Sequence, residues 1–295
     1  MTIKDNGNDQ TAINWYPGHM AKAHRQIREQ LSLVDIVIEL RDARMPEASA
    51  NPMLGELSRN KPVLIILNKA DLADADQNLL WKEHFSNCMI LDSTADDLSR
   101  IVVKEVKNIL KDKLEKAKAR GIRKKVLRAM VVGIPNVGKS TFINAFVGKN
   151  VATTGNKPGV TKGKQWISIN KELELLDTPG ILWPKFEDQE VGRKLAYLGS
   201  INDEILVTEE LAGDLLFQLY RDYPAFLAER YKITSDVYEG EGDSFSNPRS
   251  RMLDHIAKSR GCLKKGGEVD YFKTAGVVLD DFRSGRIGSI TLERP

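Results

Sequence analysis

A loop bounded by glycines constrains this sequence more than any other feature. Residues 133–140, Gly-Ile-Pro-Asn-Val-Gly-Lys-Ser, follow the apolar pair Val131-Val132 and precede a segment with the pattern of an amphipathic helix. Glycines at the two ends let the backbone turn so that its N–H groups face inward. The helix that follows presents the positive end of its dipole to the same point. The spacing predicts a loop that binds the phosphates of a nucleotide, in preference to a glycine-rich turn with an incidental Lys-Ser.

Two side chains of this phosphate loop (residues 133–140) carry predicted chemistry. Lys139 is expected to reach the β and γ phosphate oxygens and to act in catalysis, and the Ser140 hydroxyl is expected to bind Mg²⁺. The same stretch supplies the remaining phosphate contacts. The predicted nucleotide-binding residues here are Asn136, Val137, Gly138, Lys139, Ser140 and Thr141.

A second polar loop, which we call the specificity loop (residues 68–71), follows the apolar run 62–67 and has the sequence Asn-Lys-Ala-Asp. The Asp71 carboxylate would accept hydrogen bonds from N1–H and the exocyclic amine of guanine, while Asn68 tethers neighbouring loops and Lys69 packs over the base. Four residues alone are equally consistent with an ordinary polar loop. A looser match follows the run 89–91, where a backbone contact to guanine is expected: Ser93, Thr94 and Ala95.

Two further motifs lie downstream of the phosphate loop. Thr161 would turn its hydroxyl to Mg²⁺ and its N–H to the γ-phosphate when that phosphate is present. Asp177-Thr178-Pro179-Gly180 follows a strand pattern, and there Asp177 would hold Mg²⁺ through water while the Gly180 N–H senses the γ-phosphate. Proline and glycine alone would make a simple turn, but their position downstream of a phosphate loop favours the switch interpretation.

The composition is that of a globular protein of 295 residues, with 41% hydrophobic and 29% charged residues. No apolar run is long enough to cross a bilayer, and the polar N-terminus lacks the apolar core of a secretory signal. We therefore expect a flexible lead-in at residues 1–12 and a cytoplasmic protein that does not insert into membranes. Cys88 and Cys262 lack histidine neighbours at metal spacing, which argues against a disulfide framework or a zinc site.

Positive charge is concentrated in one segment. Residues 104–128 contain eleven Lys and Arg and three acids, a net charge of +8, whereas the whole chain carries +3. A polyanion such as RNA would bind this segment, but a lone basic helix more often has a solvated face, and the residues leave both interpretations open.

Apolar runs and periodicity predict the elements that carry these motifs. Strands are predicted near residues 34–40, 62–67, 89–91, 126–132, 165–169 and 173–176. One long helix is expected after the third strand, with its buried face formed by Ile101, Val102, Val106, Ile109 and Leu110. From about residue 187 the pattern is helical and predicts a small module with a basic face: Arg249, Arg251, Lys258, Arg260, Lys264, Lys265, Lys273, Arg283 and Arg286.

The order of the motifs is unusual. Ordinary Ras-like GTPases have the phosphate loop first and the N-K-x-D motif later, whereas here residues 68–71 and 93–95 precede residues 133–140. The elements are intact but rotated, so the chain resembles a circularly permuted Ras-like GTPase. A doubly wound α/β sheet tolerates such a rearrangement because its termini lie close together at the surface.

Among permuted GTPases, the chain resembles the ribosome biogenesis GTPase A family from residue 13 into the C-terminal region. Besides the motifs above, the resemblance rests on Trp15-Tyr16-Pro17-Gly18-His19-Met20 with Lys22, on Asp42-Ala43-Arg44 with Pro46, and on Pro158-Gly159-Val160-Thr161. It implies an α/β permuted P-loop GTPase domain at 13–185 and a small all-helical, RNA-binding domain at 186–295. It also implies GTP hydrolysis coupled to late maturation of the large ribosomal subunit, with its rRNA as partner and no role for DNA.

The resemblance refines the expected mechanism at two residues. In Ras-like enzymes a Gln directly after D-x-x-G orients the attacking water, but Ile181 occupies that position and has no polar group. The resemblance suggests that His19 supplies this function, although a lone His before a helix is more often a cap or surface residue. Asn136 resembles the Asn of potassium-stimulated GTPases that helps hold K⁺ between the phosphates, and its alternative role is turn geometry.

Two rival functions fit parts of the sequence. An RNA-binding chaperone whose bound nucleotide is only structural would keep the same motifs, and its association with the ribosome would not depend on GTP or GDP. A P-loop ATPase or kinase would share the phosphate loop, but the Asp71 carboxylate has the wrong hydrogen-bonding pattern for adenine.

Overall fold

The computed structural model describes residues 28–52, 54, 61–92, 97–122, 125–148, 165–169, 172–177, 188–201, 207–239 and 247–295. Its centre is a six-stranded sheet. The strands are β1 (Ile36–Asp42), β2 (Val63–Asn68), β3 (Cys88–Ile90), β4 (Leu127–Gly133), β5 (Gln165–Ser168) and β6 (Leu173–Asp177).

The sheet order is β3-β2-β1-β4-β6-β5, and every neighbouring pair is parallel except β5 with β6. The central strands β1 and β4 are almost entirely buried, which explains why most of their residues are apolar, although β1 also contains Glu39, Arg41 and Asp42. Because the strands are parallel, the loops after β1, β2, β4 and β6 leave the same edge of the sheet. The two predicted nucleotide-binding loops are therefore neighbours although they lie far apart in sequence.

Helices cover the sheet and form the C-terminal region. The helices described are α1 (Ala75–His84), α2 (Leu98–Ile109), α3 (Lys111–Ala119), α4 (Lys139–Val147), α5 (Gln189–Tyr197), α6 (Thr208–Asp222), α7 (Pro224–Tyr231), α8 (Ser235–Glu239), α9 (Pro248–Arg260) and α10 (Tyr271–Arg283). A short 3₁₀ turn, Ala70–Leu72, follows β2. Among the helices of the described part of the chain, none has the length and apolar character needed to cross a membrane.

The helix predicted around residues 101–110 differs from the observed one in two respects. It ends at Ile109, and α3 continues the chain as a separate helix after Leu110. The buried face is formed by Leu98, Val102, Val103 and Val106, whereas Ile101 is 43% exposed. The expectation that Ile101 is buried was wrong because two β-branched residues, Ile101 and Val103, flank Val102 and only one of them can face the core.

The C-terminal helices pack around α6, whose leucines Leu211, Leu215, Leu216 and Leu219 belong to the same continuous core as the sheet residues Ile36, Ile38 and Val131. After α10, a tail segment (residues 287–293) returns to the loops at the carboxyl ends of β1 and β2. Ile290 N–H donates to the Leu72 carbonyl at 3.0 Å, and Leu292 N–H donates to the Arg44 carbonyl at 2.9 Å.

Candidate nucleotide-binding site

The phosphate loop lies between the buried strand β4 and the helix α4, as the strand–loop–helix pattern predicted. Asn136 and Gly138 have positive φ angles of 61° and 93°, which fold the loop back on itself ahead of the first helical turn. Lys139 is only 6% exposed, and Ser140 and Thr141 follow it at the helix N-terminus. The backbone N–H groups at this end of α4 have no partners within the helix, which suits them to bind phosphate.

The specificity loop contacts the phosphate loop directly. The Asn68 amide Nδ2 donates to the Val137 carbonyl at 2.8 Å, and the Lys69 ammonium donates to the Asn136 carbonyl at 2.6 Å. Asn68 is 1% exposed, so its hydrogen bond is shielded from water. The structure thus brings together two loops that are about 65 residues apart in sequence, around one prospective ligand site.

A buried ion pair holds Lys69 from its other side. The Asp42 carboxylate receives Arg44 Nε and Nη2 at 2.8 Å each, and Lys69 Nζ lies 3.1 Å from its Oδ2 atom. Asp42 is fully buried and Arg44 is 1% exposed. Burial alone would raise the pKa of the Asp42 carboxyl, but the charges of Arg44 and Lys69 outweigh it and hold that pKa well below its usual range.

The same arginine reaches the C-terminal helices. Arg44 Nη1 donates to the carbonyls of Phe282 and Arg283, at 3.0 and 3.2 Å, and the guanidinium lies over the Phe282 ring. These carbonyls are at the end of α10, where a helix has no internal donors left to satisfy them. Asp42 and Arg44 therefore connect the Lys69 ammonium to the last turn of α10.

A second connection leaves the phosphate loop at Asn136. Its side-chain amide donates to the Gly199 carbonyl at 2.5 Å, and the Ser200 hydroxyl donates to the neighbouring Pro135 carbonyl at 2.8 Å. Gly199 and Ser200 follow α5, whose last carbonyls accept hydrogen bonds from the side chain of Arg283. The Asn136 amide is thus oriented by the C-terminal region.

Other predicted site residues are placed less completely. Asp71 lies in the exposed 3₁₀ turn next to Lys69, open to a ligand. Asp177 ends β6 opposite Val131 of β4, so its backbone is at the ligand edge of the sheet. The remaining predicted residues lie outside the described part of the chain: His19, Ser93, Thr94, Ala95, Thr161 and Gly180.

Comparison with known proteins identifies the family. A sequence model described as 50S ribosome-binding GTPase matches residues 128–229. Ribosome biogenesis GTPase A of Bacillus licheniformis is 44% identical over 287 residues, which cover 96% of this chain and 98% of that protein. The protein of the same name from Bacillus cereus is 46% identical over 290 residues, covering 96% and 94%.

The chain belongs to the ribosome biogenesis GTPase A family. It is a GTPase, and it binds guanine nucleotide. The residues matched by the family model contain the phosphate loop, whereas the specificity loop precedes them.

Solved structures confirm the fold. GDP-bound YlqF superposes with a TM-score of 0.66 at 27% identity, covering 92% of this chain and 99% of that one. GNP-bound YlqF from T. maritima superposes with a TM-score of 0.63 at 28% identity, covering 93% and 98%. The GTPase thus has a circularly permuted α/β domain, as the motif order predicted, and a helical C-terminal region, as the periodicity after residue 187 predicted.

Sequence patterns did not reveal the roles of three residues at this site. Asp42 and Arg44 were named in the sequence analysis only as part of the family resemblance. Their position next to Lys69 follows from the pairing of β1 with β2, which aligns Asp42 with Asn68. Gly199 gave no signal, because a backbone carbonyl that receives Asn136 has no signature in sequence. A signal for Asp42 was available: an Asp that ends a largely buried strand needs a buried partner.

Proposed function

We propose that this GTPase hydrolyses GTP to GDP and phosphate and uses its nucleotide state to bind and release the assembling large ribosomal subunit late in its maturation. The observation that carries the proposal is the direct contact of the specificity loop with the phosphate loop through Asn68 and Lys69. This contact supports a site in which the Asp71 carboxylate binds guanine and the phosphate loop binds the phosphates of the same nucleotide. The names of the relatives supply the link to the ribosome.

The proposed chemistry divides among a few side chains. Lys139 and the N–H groups at the start of α4 stabilise negative charge on the phosphates, and His19 positions the attacking water in place of the missing Gln. The hard oxygen donors that suit Mg²⁺ beside a nucleotide, where it would neutralise the developing charge on the phosphates, come from Ser140, Thr161 and Asp177. The Asn136 side-chain nitrogen donates to the Gly199 carbonyl. The side-chain oxygen would therefore be available to bind K⁺.

The basic segment 104–128 is a candidate surface for contact with ribosomal RNA, in addition to the C-terminal region. Its described ion pairs join Lys107 to Glu172, Lys113 and Lys125 to Asp35, and Arg128 to Glu174. Five other cations, all exposed, have no ion pair within the described residues: Lys104, Lys111, Lys116, Lys118 and Arg120.

Lys116 and Arg120 line an open cavity of about 660 Å³ with Lys61, near the amino ends of β1 and β2. That edge is opposite the nucleotide site, so RNA phosphates and the nucleotide would bind at different ends of the sheet. We assign residues 13–185 to the GTPase domain and residues 186–295 to the helical, RNA-contacting domain of a cytoplasmic protein.

The test is sedimentation of GTP-loaded and GDP-loaded protein with ribosomal particles from the same bacterium. The proposal expects the two forms to sediment with immature large subunits to different extents. Lys139→Ala should abolish the difference by preventing nucleotide binding, whereas Lys82→Ala, an exposed lysine on α1, should preserve it. Equal sedimentation of the two wild-type forms would favour the RNA chaperone.

Base selectivity separates the GTPase from the P-loop ATPase alternative. Asp71→Asn replaces two acceptors with an amide that can donate, so we expect weaker GDP binding and a gain in affinity for xanthosine diphosphate, whose ring carries an oxygen in place of the amine. Calorimetric titration with the two nucleotides measures the exchange. Unchanged GDP affinity would remove Asp71 from the base site.

The catalytic assignment of His19 has its own test. Particle-stimulated hydrolysis should be lost in His19→Ala while GDP affinity is retained, because the proposed role is to position water and not to bind the nucleotide. Single-turnover hydrolysis with ribosomal particles measures the loss. A variant that hydrolyses GTP as fast as the wild type would remove His19 from the mechanism.

A further inference from the structure

The basic side chains of the C-terminal region fall into two groups. The arginines bind within the protein: Arg249 pairs with Asp214, Arg251 donates to the Tyr238 carbonyl, and Arg260 donates to the Arg230 carbonyl. Arg283 donates to carbonyls at the end of α5, and Arg286 pairs with Asp281. These arginines stabilise the fold through contacts within the protein, while the side chains of Arg249 and Arg286 stay 41% and 45% exposed. The basic face expected for this region stays a prediction. What remains is a group of exposed lysines: Lys258, Lys264, Lys265 and Lys273.

These lysines surround one short hairpin, which we define as residues 261–270. It joins α9 to α10, and its two arms pair as an antiparallel bridge between Leu263 and Val269. The turn at the tip is closed by Lys264 N–H donating to the Glu268 carbonyl at 2.8 Å. Gly266 and Gly267 occupy the tip with positive φ angles, and a Cβ atom added to either would meet nothing within 4 Å among the described residues. A ligand can therefore approach the backbone there.

Two exposed aromatic rings lie beside the hairpin, at the first turn of α10. The Phe272 side chain is 70% exposed and Tyr271 is 40% exposed. The Tyr271 hydroxyl donates to Asp254 of α9 at 2.6 Å, which holds its ring against the neighbouring helix. Lys273 Nζ lies 3.4 Å from the Gly261 carbonyl, so its ammonium is at the base of the hairpin. Aromatic and cationic groups therefore share one surface.

We propose that this hairpin surface binds single-stranded RNA, with Phe272 stacking on an unpaired base and the hairpin lysines binding the flanking phosphates. The inference rests on the proposed function, because it names the form of RNA that the C-terminal region takes. A Phe side chain that is 70% exposed leaves most of its ring in water, and base–aromatic stacking would cover it. Unpaired bases are needed because the bases of a helix are already stacked on one another.

The charges at this surface favour nucleic acid over an acidic protein. Asp270 accepts from Lys273 N–H as the cap of α10, and Asp254 accepts from Tyr271, so both carboxylates are engaged within the protein. Glu268, at the hairpin tip, is the exposed acid that offsets the four lysines in this part of the described structure. Spaced cations around a planar ring match the alternation of phosphates and bases along a single strand.

The test is fluorescence anisotropy of the full-length protein with a labelled oligouridine that has a 5′-hydroxyl end. Saturating GDP keeps the nucleotide site filled, so RNA cannot bind there. Phe272→Ala should weaken RNA affinity by about 5- to 150-fold, the range for loss of one stacked base. Phe272→Trp should retain it. Leu79→Ala, which also removes an exposed apolar side chain, is the matched control and should have no effect.

A second variant tests the phosphate contacts. Replacing Lys264 and Lys265 together by Gln should reduce the slope of log affinity against log salt by about 1.4, since each phosphate contact to a single strand contributes about 0.7. Phe272→Ala should leave that slope unchanged. An unaltered slope in the lysine variant would overturn the assignment of the hairpin lysines.

Three outcomes would overturn the RNA proposal: no binding by the wild type, equal affinity in Phe272→Ala, or an equal loss in Leu79→Ala. If Phe272→Ala binds oligouridine normally but associates poorly with ribosomal particles, the surface binds a protein instead. The anisotropy measurement needs neither GTP hydrolysis nor a particle. A failure of nucleotide-dependent sedimentation would therefore contradict the proposed function without changing this result.

Discussion

Gly138 leaves no room for a side chain between the phosphate loop and the specificity loop. A Cβ atom placed on it would lie 2.4 Å from Asn68 Nδ2, and its φ of 93° is in the region that favours glycine. Because Asn68 is buried and donates to the Val137 carbonyl, it cannot move aside without losing that hydrogen bond. A methyl group at this position would separate the two loops.

We predict that Gly138→Ala lowers GDP affinity by about 5- to 150-fold, since a buried hydrogen bond lost at the contact is worth about 1–3 kcal/mol. Gly148→Ala is the matched control, because Gly148 also has a positive φ, at the other end of α4, and its added methyl would meet no described atom within 4 Å. It should cost stability and leave GDP affinity unchanged. Calorimetric titration of both variants decides, and equal losses would argue against the steric explanation.

Asp42 is the buried acid on which Arg44 and Lys69 both depend. We predict that Asp42→Asn lowers the free energy of unfolding by about 3–5 kcal/mol, because two buried cations lose their shared partner. Asp97→Asn removes a carboxylate from the exposed pair with Arg100 and should have a much smaller effect. Urea denaturation at neutral pH measures both changes.

The same carboxyl gives a pH dependence. The folded pKa of Asp42 lies well below the unfolded value of about 3.9, so its stabilising contribution is present above about pH 4 and is lost as the pH falls toward the folded pKa. The free energy of unfolding of the wild type should therefore fall more steeply below about pH 4 than that of Asp42→Asn. Parallel curves for the two proteins would contradict this assignment.

At the scale of elements, the C-terminus of α10 is capped by a side chain from the GTPase domain. Arg44 supplies the donors for its last carbonyls, and Arg283 at its end in turn supplies donors for the last carbonyls of α5. Each helix thus receives its C-terminal cap from a different part of the chain. Arg44 lies in the loop that follows β1, so that loop helps to keep the ends of both helices well ordered.

We predict that Arg44→Lys loosens the last turn of α10, because one ammonium cannot bind Asp42 in two places and also donate to Phe282 and Arg283. Amide hydrogen exchange around residues 280–285 should accelerate by about tenfold or more, as expected for an opening made easier by about 1.4 kcal/mol. Arg128→Lys, at a half-exposed ion pair with Glu174, should not alter exchange in α10. Unchanged exchange in Arg44→Lys would show that the cap is dispensable.

Sequence patterns predicted the sheet better than the helices, for identifiable reasons. Each strand was predicted to within two residues, and the clearest signal is the apolar run that begins β2 at Val63, which is typical of a buried parallel strand. Helix α1 was not predicted, since it exposes Leu79 and Leu80 and buries Asn78, which reverses the usual pattern. The phosphate and specificity loops have fixed spacings and were found. The contacts that arginines make with backbone carbonyls were not, because a charged side chain looks the same in sequence whether it faces a carbonyl or water.

At the scale of the whole molecule, the tail segment joins the C-terminal region to the GTPase domain. The Glu293 carboxylate accepts from the N–H groups of Glu47 and Ala48, at 2.7 and 3.1 Å, and pairs with Lys194 of α5 at 3.2 Å. Thr291 is fully buried beside it and accepts from the Asp74 N–H. Three regions of the chain are therefore held by residues 291–293.

We predict that Glu293→Gln lowers the free energy of unfolding by about 1–3 kcal/mol, because a neutral amide replaces an acceptor of charge-assisted hydrogen bonds. Glu190→Gln is the matched control, since Glu190 also pairs with Lys194 but is 64% exposed. It should change stability far less. Thermal and urea unfolding of the two variants measure the difference, and equal effects would locate the stabilisation in Lys194 rather than in the tail.

The docking of the tail also bears on when the protein can finish folding during translation. Glu47 and Glu293 are separated by 246 positions, and synthesis at about 5–20 residues per second puts roughly 12–50 s between their appearance. Throughout that interval the nascent loop after β1 lacks its acceptor and the Asp74 N–H lacks Thr291. The loop that follows β1 can therefore complete its hydrogen bonds only after residue 293 has been synthesised, later than the strands β1 and β2 that flank it.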